Sequence, residues 1–415
     1  MRLLILFFAV SFSFASLRSQ ENPISLDELV RTALERNPKI KAAAKAAESD
    51  SYKIAPARTL PDPMIEFSLK NMGLSEFTVG KDPLSGVGFS LSQTFPFPGK
   101  LRLKGEIARK SYERRQALLD LAKLEVIRDV KTAYLELFYS RKSVEILEQQ
   151  KRLLNQALKL AESQYSVGNG TQSDIFKAQI EISRMEEMII PMREMAKTQE
   201  TRVNLLLDYA PDRPLGMPAV SETTALTVPL AELERRAVVV SPTAREASLM
   251  VEENEKMVAM AKREVYPDFR ITAGWEYKGK LTDMFEVMAG LEIPLFAKRR
   301  QNNWIREALA MEAGTRENSR SVRNDLQAMV SEAFVKAKTA ENLLRLYQNQ
   351  LRIQSRLAVE SSLANYQVGK VDFMAVIGDI NNQFSFELAY YRELSQFWIA
   401  TAVLESLGAG PVANP

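Results

Sequence analysis

The phrase Tyr-x-Val-Gly occurs twice, at Tyr165–Gly168 and at Tyr366–Gly369, 201 positions apart in a chain of 415 residues. Other phrases return around it in the same order. LDELVRTALERNP at Leu26–Pro38 is answered by LAELERRAVVVSP at Leu230–Pro242. PDPMIEFSLKNMG from Pro61 is answered by PDFRITAGWEYKG from Pro267, and FPFPGKLR at Phe95–Arg102 by IPLFAKRR at Ile293–Arg300. Order and near-constant spacing mark a tandem duplication. Such a chain builds one supersecondary unit twice, and any fold must accommodate both copies.

Each copy follows one plan. An amphipathic helix comes first, over Leu26–Ala57 and again over Leu230–Glu264. Two strands follow, recognised by alternation of period two. Ile65, Phe67 and Leu69 oppose Glu66, Ser68 and Lys70; Val87, Phe89 and Leu91 oppose Gly88, Ser90 and Ser92. In the second copy Phe269, Ile271, Ala273, Trp275 and Tyr277 oppose Arg270, Thr272, Gly274, Glu276 and Lys278. Val287, Ala289, Leu291 and Ile293 oppose Glu286, Met288, Gly290 and Glu292.

Very long helices come next. No proline falls between Pro98 and Pro191 or between Pro294 and Pro411, and Leu101–Tyr165 as a helix would run about 98 Å. Leu147, Leu154 and Ala161, and Leu344, Leu351 and Ala358, recur every seven residues, a coiled-coil seam. The repeated Val-Gly then sits where one long helix reverses into the next, since Gly168 and Gly369 accept the left-handed backbone that ends a helix.

Composition restricts the chemistry. The chain has neither cysteine nor histidine, which predicts no disulfide, no lipidated cysteine, no thiolate or imidazole metal site and no His acid–base catalysis. With 55 basic and 52 acidic residues spread along the chain, nucleic acid is not an expected partner. The start, MRLLILFFAVSFSFAS, has the basic, apolar and small-x-small pattern of a secretory signal peptide. No later segment has the roughly 20 consecutive apolar residues of a spanning helix. The expected organisation is a signal peptide over 1–15, a first repeat over 16–208, a proline-rich linker over 209–229, a second repeat over 230–408 and a tail over 409–415.

An exported chain with four strands of membrane-barrel length cannot close a barrel alone, because the smallest has about eight and open edges are forbidden in lipid. Three copies would supply about twelve strands. Phe67, Phe89, Ile271, Trp275, Ala289 and Leu291 would then face lipid, and Trp275, Tyr277, Tyr266, Phe95 and Phe97 would lie near strand ends as an aromatic girdle. The alternative is two soluble hairpins on a core.

Leu34…Asn37-Pro38, Pro61-Asp62-Pro63, LSQTFPFPGK at Leu91–Lys100, YSVGNGTQSDIFKAQ at Tyr165–Gln179, LEIPLFAKRR at Leu291–Arg300 and YQVGK at Tyr366–Lys370 together resemble the TolC-like outer membrane efflux proteins. The likeness covers essentially the whole chain after the signal peptide. It implies a mainly α protein with a membrane β-barrel part: a homotrimer whose 12-stranded barrel continues into an α-helical barrel across the periplasm. It implies an exit duct and not an enzyme, with no cofactor. The duct would work with a periplasmic adaptor protein, an inner-membrane transporter of the resistance–nodulation–division type and outer membrane lipid. It assigns the tips, Tyr165, Val167, Gly168, Tyr366, Val368 and Gly369, to adaptor docking. Family members carry an Asp-containing entrance after the tip glycine. Asp174 matches it, whereas the second-repeat positions fall on Ala375 and Gly378, with Asp372 and Asp379 out of register. FPFPGK and PDPMIEF are most similar to the heavy-metal branch. Met185, Met188 and Met192 form a stripe that packing explains better than metal relay.

Two rival readings remain at this stage. A periplasmic coiled-coil adaptor or scaffold also owns long hairpins with a docking tip. An exported hydrolase could use a carboxylate pair such as Asp62 and Asp268, although the repeat relates these two as equivalent turns.

Overall fold

A computed structural model describes residues 25–72, 78–222 and 225–413; the proposed signal peptide lies outside them. The first repeat comprises α1 (Leu26–Arg36), α2 (Pro38–Ser51), α3 (Ile54–Arg58), β1 (Met64–Lys70), β2 (Gly86–Phe95), α4 (Lys100–Ser166) and α5 (Gln172–Leu206). The second comprises α6 (Leu230–Val240), α7 (Pro242–Arg263), β3 (Asp268–Tyr277), β4 (Met284–Glu292), α8 (Gln301–Leu346), a π-helical turn (Tyr347–Leu351), α9 (Arg352–Gln367) and α10 (Phe373–Leu404).

The leading helix of each repeat is not continuous, as the sequence had suggested. It breaks before Pro38 and before Pro242, because a residue preceding proline is pushed out of the helical region. Asn37 and Ser241 both sit at φ −56° with ψ of 125° and 130°. Each then caps the next helix, Asn37 Oδ1 accepting from Lys39 N at 2.9 Å and Ser241 Oγ from Thr243 N at 3.3 Å.

α4 is 67 residues long, about 100 Å. In the second repeat the same length is divided, because the π turn interrupts the helix after Leu346. This corrects the expected seam. Leu147, Leu154 and Ala161 are buried. Beyond Leu344, however, the buried positions are Ser355, Val359, Ser362 and Tyr366, with Leu351 and Ala358 only half-buried. A π turn inserts one extra residue and rotates everything after it by about a quarter turn, so the heptad slips by one.

The hairpin ends pack as a four-helix bundle. Leu154 and Ala161 of α4, Met185 and Ile189 of α5, Val359 and Tyr366 of α9, and Val376, Ile380 and Phe384 of α10 form one core. Met192 packs against it while Met188 is exposed, so the methionine stripe is divided between core and surface. At the other end of the bundle the segment after α5 is no loose tether. Leu215 is buried, and the Tyr134 hydroxyl donates to Ala219 O and accepts from Ala219 N, both at 2.8 Å. The C-terminal residues strap this segment down: Thr227 N donates to Val412 O at 3.1 Å, and Leu226 bridges Ala413.

The four strands make one antiparallel sheet in the order β1-β2-β3-β4. The repeats join at its centre, with Phe89 opposite Trp275 and Phe95 opposite Phe269.

Candidate functional site: an inverted sheet and two helix tips

The register decides what the alternation means. Ile65 faces Leu91, Phe67 faces Phe89, Leu91 faces Ala273, Trp275 faces Phe285, Ile271 faces Ala289 and Phe269 faces Leu291. The aromatic and branched apolar residues thus fall on one side of the sheet, since side chains alternate strictly along each strand, while Met64, Met284 and Met288 lie on the other. Phe67 and Phe89 meet edge to face with centroids 5.1 Å apart. This side covers no core. Phe67, Phe89, Ile271, Trp275 and Leu291 are all between 45% and 57% exposed, and Ala289 is exposed as well.

The other side is polar and crowded. Ser92 Oγ lies 2.7 Å from Thr272 Oγ1, with both residues buried. Glu276 takes Lys70 Nζ at 3.0 Å and Lys278 Nζ at 2.9 Å. A Cβ at Gly88 would meet Ser68 Oγ at 2.6 Å, and one at Gly86 would meet Glu276 Oε1 at 2.4 Å, so small residues are needed where this face closes on itself. A soluble sheet buries its apolar side and wets its polar one; here the two are exchanged. Among the described residues the outer edges of the sheet have no strand partner, β1 along its seven residues and β4 along its nine, every one of the nine exposed.

At the base of the sheet the two repeats are locked together. Lys100, at the start of α4, is buried and places Nζ 2.8 Å from Asp268 Oδ1 and 3.0 Å from Glu264 Oε2. Burial alone would push its pKa down; the two carboxylates more than reverse this and hold it above the usual lysine value. Phe97 N donates to Asp268 Oδ1 at 2.7 Å, and the Phe97 ring stacks on Tyr266 at 4.5 Å between centroids. Asp268 is therefore held in a structural pin. Both motifs were visible in the sequence, FPFPGK and PDF, but their meeting across 168 positions left no local trace.

The helix tips have matching geometry. Gly168 and Gly369 sit at φ +79° and +71°. Gly168 N donates to Tyr165 O at 3.1 Å and Asn169 N to Gln164 O at 2.9 Å; Gly369 N donates to Tyr366 O at 3.0 Å and Lys370 N to Asn365 O at 2.9 Å. These paired bonds are Schellman caps. Tyr165, Val167 and Val368 are exposed, and Val167 and Val368 are each 66% exposed. Tyr366 is not. It is 7% exposed and packs on Phe373 at 5.3 Å, so its side chain offers no surface and belongs to the bundle core. Burial first, and then the charge of Asp174, raise its pKa.

The acidic residues near the tips divide by role. Asp174 closes a capping box with Thr171: Asp174 N donates to Thr171 Oγ1 at 3.3 Å and Thr171 N to Asp174 Oδ2 at 3.1 Å. Asp372 caps α10 through Ala375 N at 2.8 Å. Asp379 lies two turns along α10 and is half-buried. Thr171 was missed in the sequence, although Thr-x-x-Asp ahead of a helix is a recognisable box. Beside it, α5 exposes Phe176 and Ile180 one turn apart, which neither proline spacing nor heptads could reveal. Among the described residues no group of three or more His, Cys, Asp or Glu side chains is placed to hold a metal ion, and no helix is long and apolar enough to cross a membrane.

The fold is shared with known channels. CusC superposes with a TM-score of 0.79 at 16% identity, covering 92% of each chain. The outer membrane channel CmeC of Campylobacter jejuni gives 0.78 at 12% identity, over 99% of this chain and 94% of its own. The outer membrane protein VceC of Vibrio cholerae gives 0.77 at 17%, over 92% and 96%. No curated protein matches the sequence. The family model for outer membrane efflux proteins matches residues 29–207 and 234–378, one segment in each repeat. Members of that family are passive channels of the Gram-negative outer membrane with a helical periplasmic part, and not enzymes. This chain belongs to the outer membrane efflux protein family.

Proposed function

We propose that three copies of this chain assemble into one exit duct, with β4 of each copy paired to β1 of the next. The sheet carries this reading: an apolar face exposed on the outside, a polar face turned inward, and two open edges. In lipid every backbone polar group needs a partner, and ring closure supplies one for both edges. The staves would stand in the outer membrane with Phe67, Phe89, Ile271, Trp275, Ala289 and Leu291 toward lipid. The helical hairpins would reach into the periplasm, where Tyr165, Val167, Gly168, Val368 and Gly369 meet an adaptor that links the duct to a resistance–nodulation–division transporter. A periplasmic scaffold has no use for an outward apolar sheet face, which speaks against that alternative.

Conduction would be passive, through a lumen lined by Glu66, Lys70, Arg270, Glu276 and Glu286. For cargo we propose heavy-metal cations, on the likeness of FPFPGK and PDPMIEF to the heavy-metal branch. A duct need not bind its cargo, so the lack of His and Cys is compatible with this. Asp174, Asp372 and Asp379 would set the charge near the periplasmic entrance. The test is a susceptibility panel on a strain lacking the gene. Selective sensitivity to copper, silver, zinc, cobalt or cadmium is expected; sensitivity to dyes and antibiotics alone would remove the metal assignment and keep the duct.

A further inference from the structure

The seam between copies has a template inside one chain. There, the end of β2 in the first repeat meets the start of β3 in the second through Lys100–Asp268 and Phe97–Tyr266. The duplication places Lys298 and Leu295 at the positions of Lys100 and Phe97, 198 residues on. It places Asp62 and Leu60 at the positions of Asp268 and Tyr266, 206 residues back. All four second-seam residues are exposed. Leu295 is 82% and Leu60 41% exposed. Lys298 and Asp62 are exposed too, and neither has an ion pair among the described residues.

We propose that Lys298 of one copy pairs with Asp62 of the next, with Leu295 lying on Leu60, as a reduced version of the internal pin. This rests on the three-copy reading above. The strand register agrees with it. Carrying the β2–β3 register across by the same offsets sets Ala289 opposite Phe67, Leu291 opposite Ile65 and Val287 opposite Leu69 of the neighbouring copy. Apolar meets apolar in every pair, whereas a slip of one residue would invert the faces. The same register sets Lys70 opposite Glu286 on the polar side, an opposite-charge cross-strand pair.

The seam pin is weaker than its template. The counterpart of Glu264 is Arg58, which lies against Gly105 of its own chain, so Lys298 meets one carboxylate where Lys100 meets two. The helix-level pairs below the internal pin, Lys110–Glu252 and Arg114–Glu253, are not copied either, since at the 201-residue offset of the long helices Met311 and Thr315 stand at the positions of Lys110 and Arg114.

The chain has no native cysteine, so introduced pairs report alone. Leu60→Cys with Leu295→Cys, treated in intact membranes with a short thiol-reactive bis-methanethiosulfonate crosslinker, should give a dimer and trimer ladder absent from either single variant. Trimers trapped by a lysine-reactive crosslinker but no cysteine ladder would overturn this contact and leave the three-copy reading. Monomer under both reagents would overturn both. As a second measurement, Lys298→Glu should lower the heat-resistant trimer severalfold, with Asp62→Lys in the same chain restoring it; failure of the double variant to recover would overturn the pairing.

Discussion

Phe89 of β2 stands directly opposite Trp275 of β3, so the two halves of the duplication meet through aromatic residues on the exposed apolar face of the sheet. This one pair ties the repeat to the membrane reading. A single hairpin could show its apolar side by accident, but two hairpins joined in register make that side continuous over four strands.

A charge on the apolar side should therefore be costly, and one on the other side should not. Ala289→Arg is expected to lose about 2–4 kcal/mol of barrel stability at mid-membrane depth and to cut the folded yield. Met288→Arg, one residue away on the polar face, should assemble normally. Heat-modifiable mobility of the membrane fraction separates the two; a normal yield for Ala289→Arg with a loss for Met288→Arg would show that the face is assigned backwards.

Gly168 and Gly369 differ from most tight glycines. A Cβ at either would meet nothing within 4 Å. Alanine there should cost only the left-handed backbone strain, about 1–2 kcal/mol, while asparagine should cost less. Bulky residues at both sites should leave the trimer in the outer membrane and abolish efflux. Transport that survives both changes would remove the docking role of the tips.

The caps predict a graded response. Asp372→Ala removes the cap of α10 and should cost about 1 kcal/mol, seen as faster hydrogen exchange at Ala375 N. Asp379 caps nothing, so Asp379→Ala should leave that exchange unchanged. If the acidic residues also set entrance charge, both variants should lower cation selectivity in single-channel recordings.

Asp50 gives a pH dependence with a definite sign. Its buried carboxylate takes Lys53 at 2.5 Å and Arg115 at 3.2 Å. Burial alone would raise its pKa, and these two partners more than reverse that, leaving it below the ordinary 3.8. A carboxylate with a lowered folded-state pKa contributes stability above its unfolded value and loses it as pH falls through the folded one. Asp50→Asn should therefore be less stable than the parent at pH 7, by about 2 kcal/mol. The difference should close below pH 3.8 in chemical denaturation curves.

Much of this architecture is legible in the sequence. Period-two alternation is a local property, so the faces of all four strands could be read from residues two apart. Proline absence and helix-forming composition located the long helices, and the Val-Gly phrases located their ends, because only glycine enters the left-handed region without strain. The duplication itself, with its four ordered markers, was a fact of the sequence.

What tertiary structure alone decided is where distant groups meet. Tyr165 and Tyr366 are the same letter in the same phrase, yet one is exposed and the other buried on Phe373, because only the latter turns into the four-helix core. The heptad of the second repeat looked as regular as that of the first, but a π turn at Tyr347–Leu351 moved its seam by one residue; an inserted residue in a helix has no signature in composition. Nothing in the segments around Lys100 and Asp268 marked the two as partners. Their pairing required the register of β2 against β3, which is fixed by burial and hydrogen bonding over the whole sheet and by no segment of it alone.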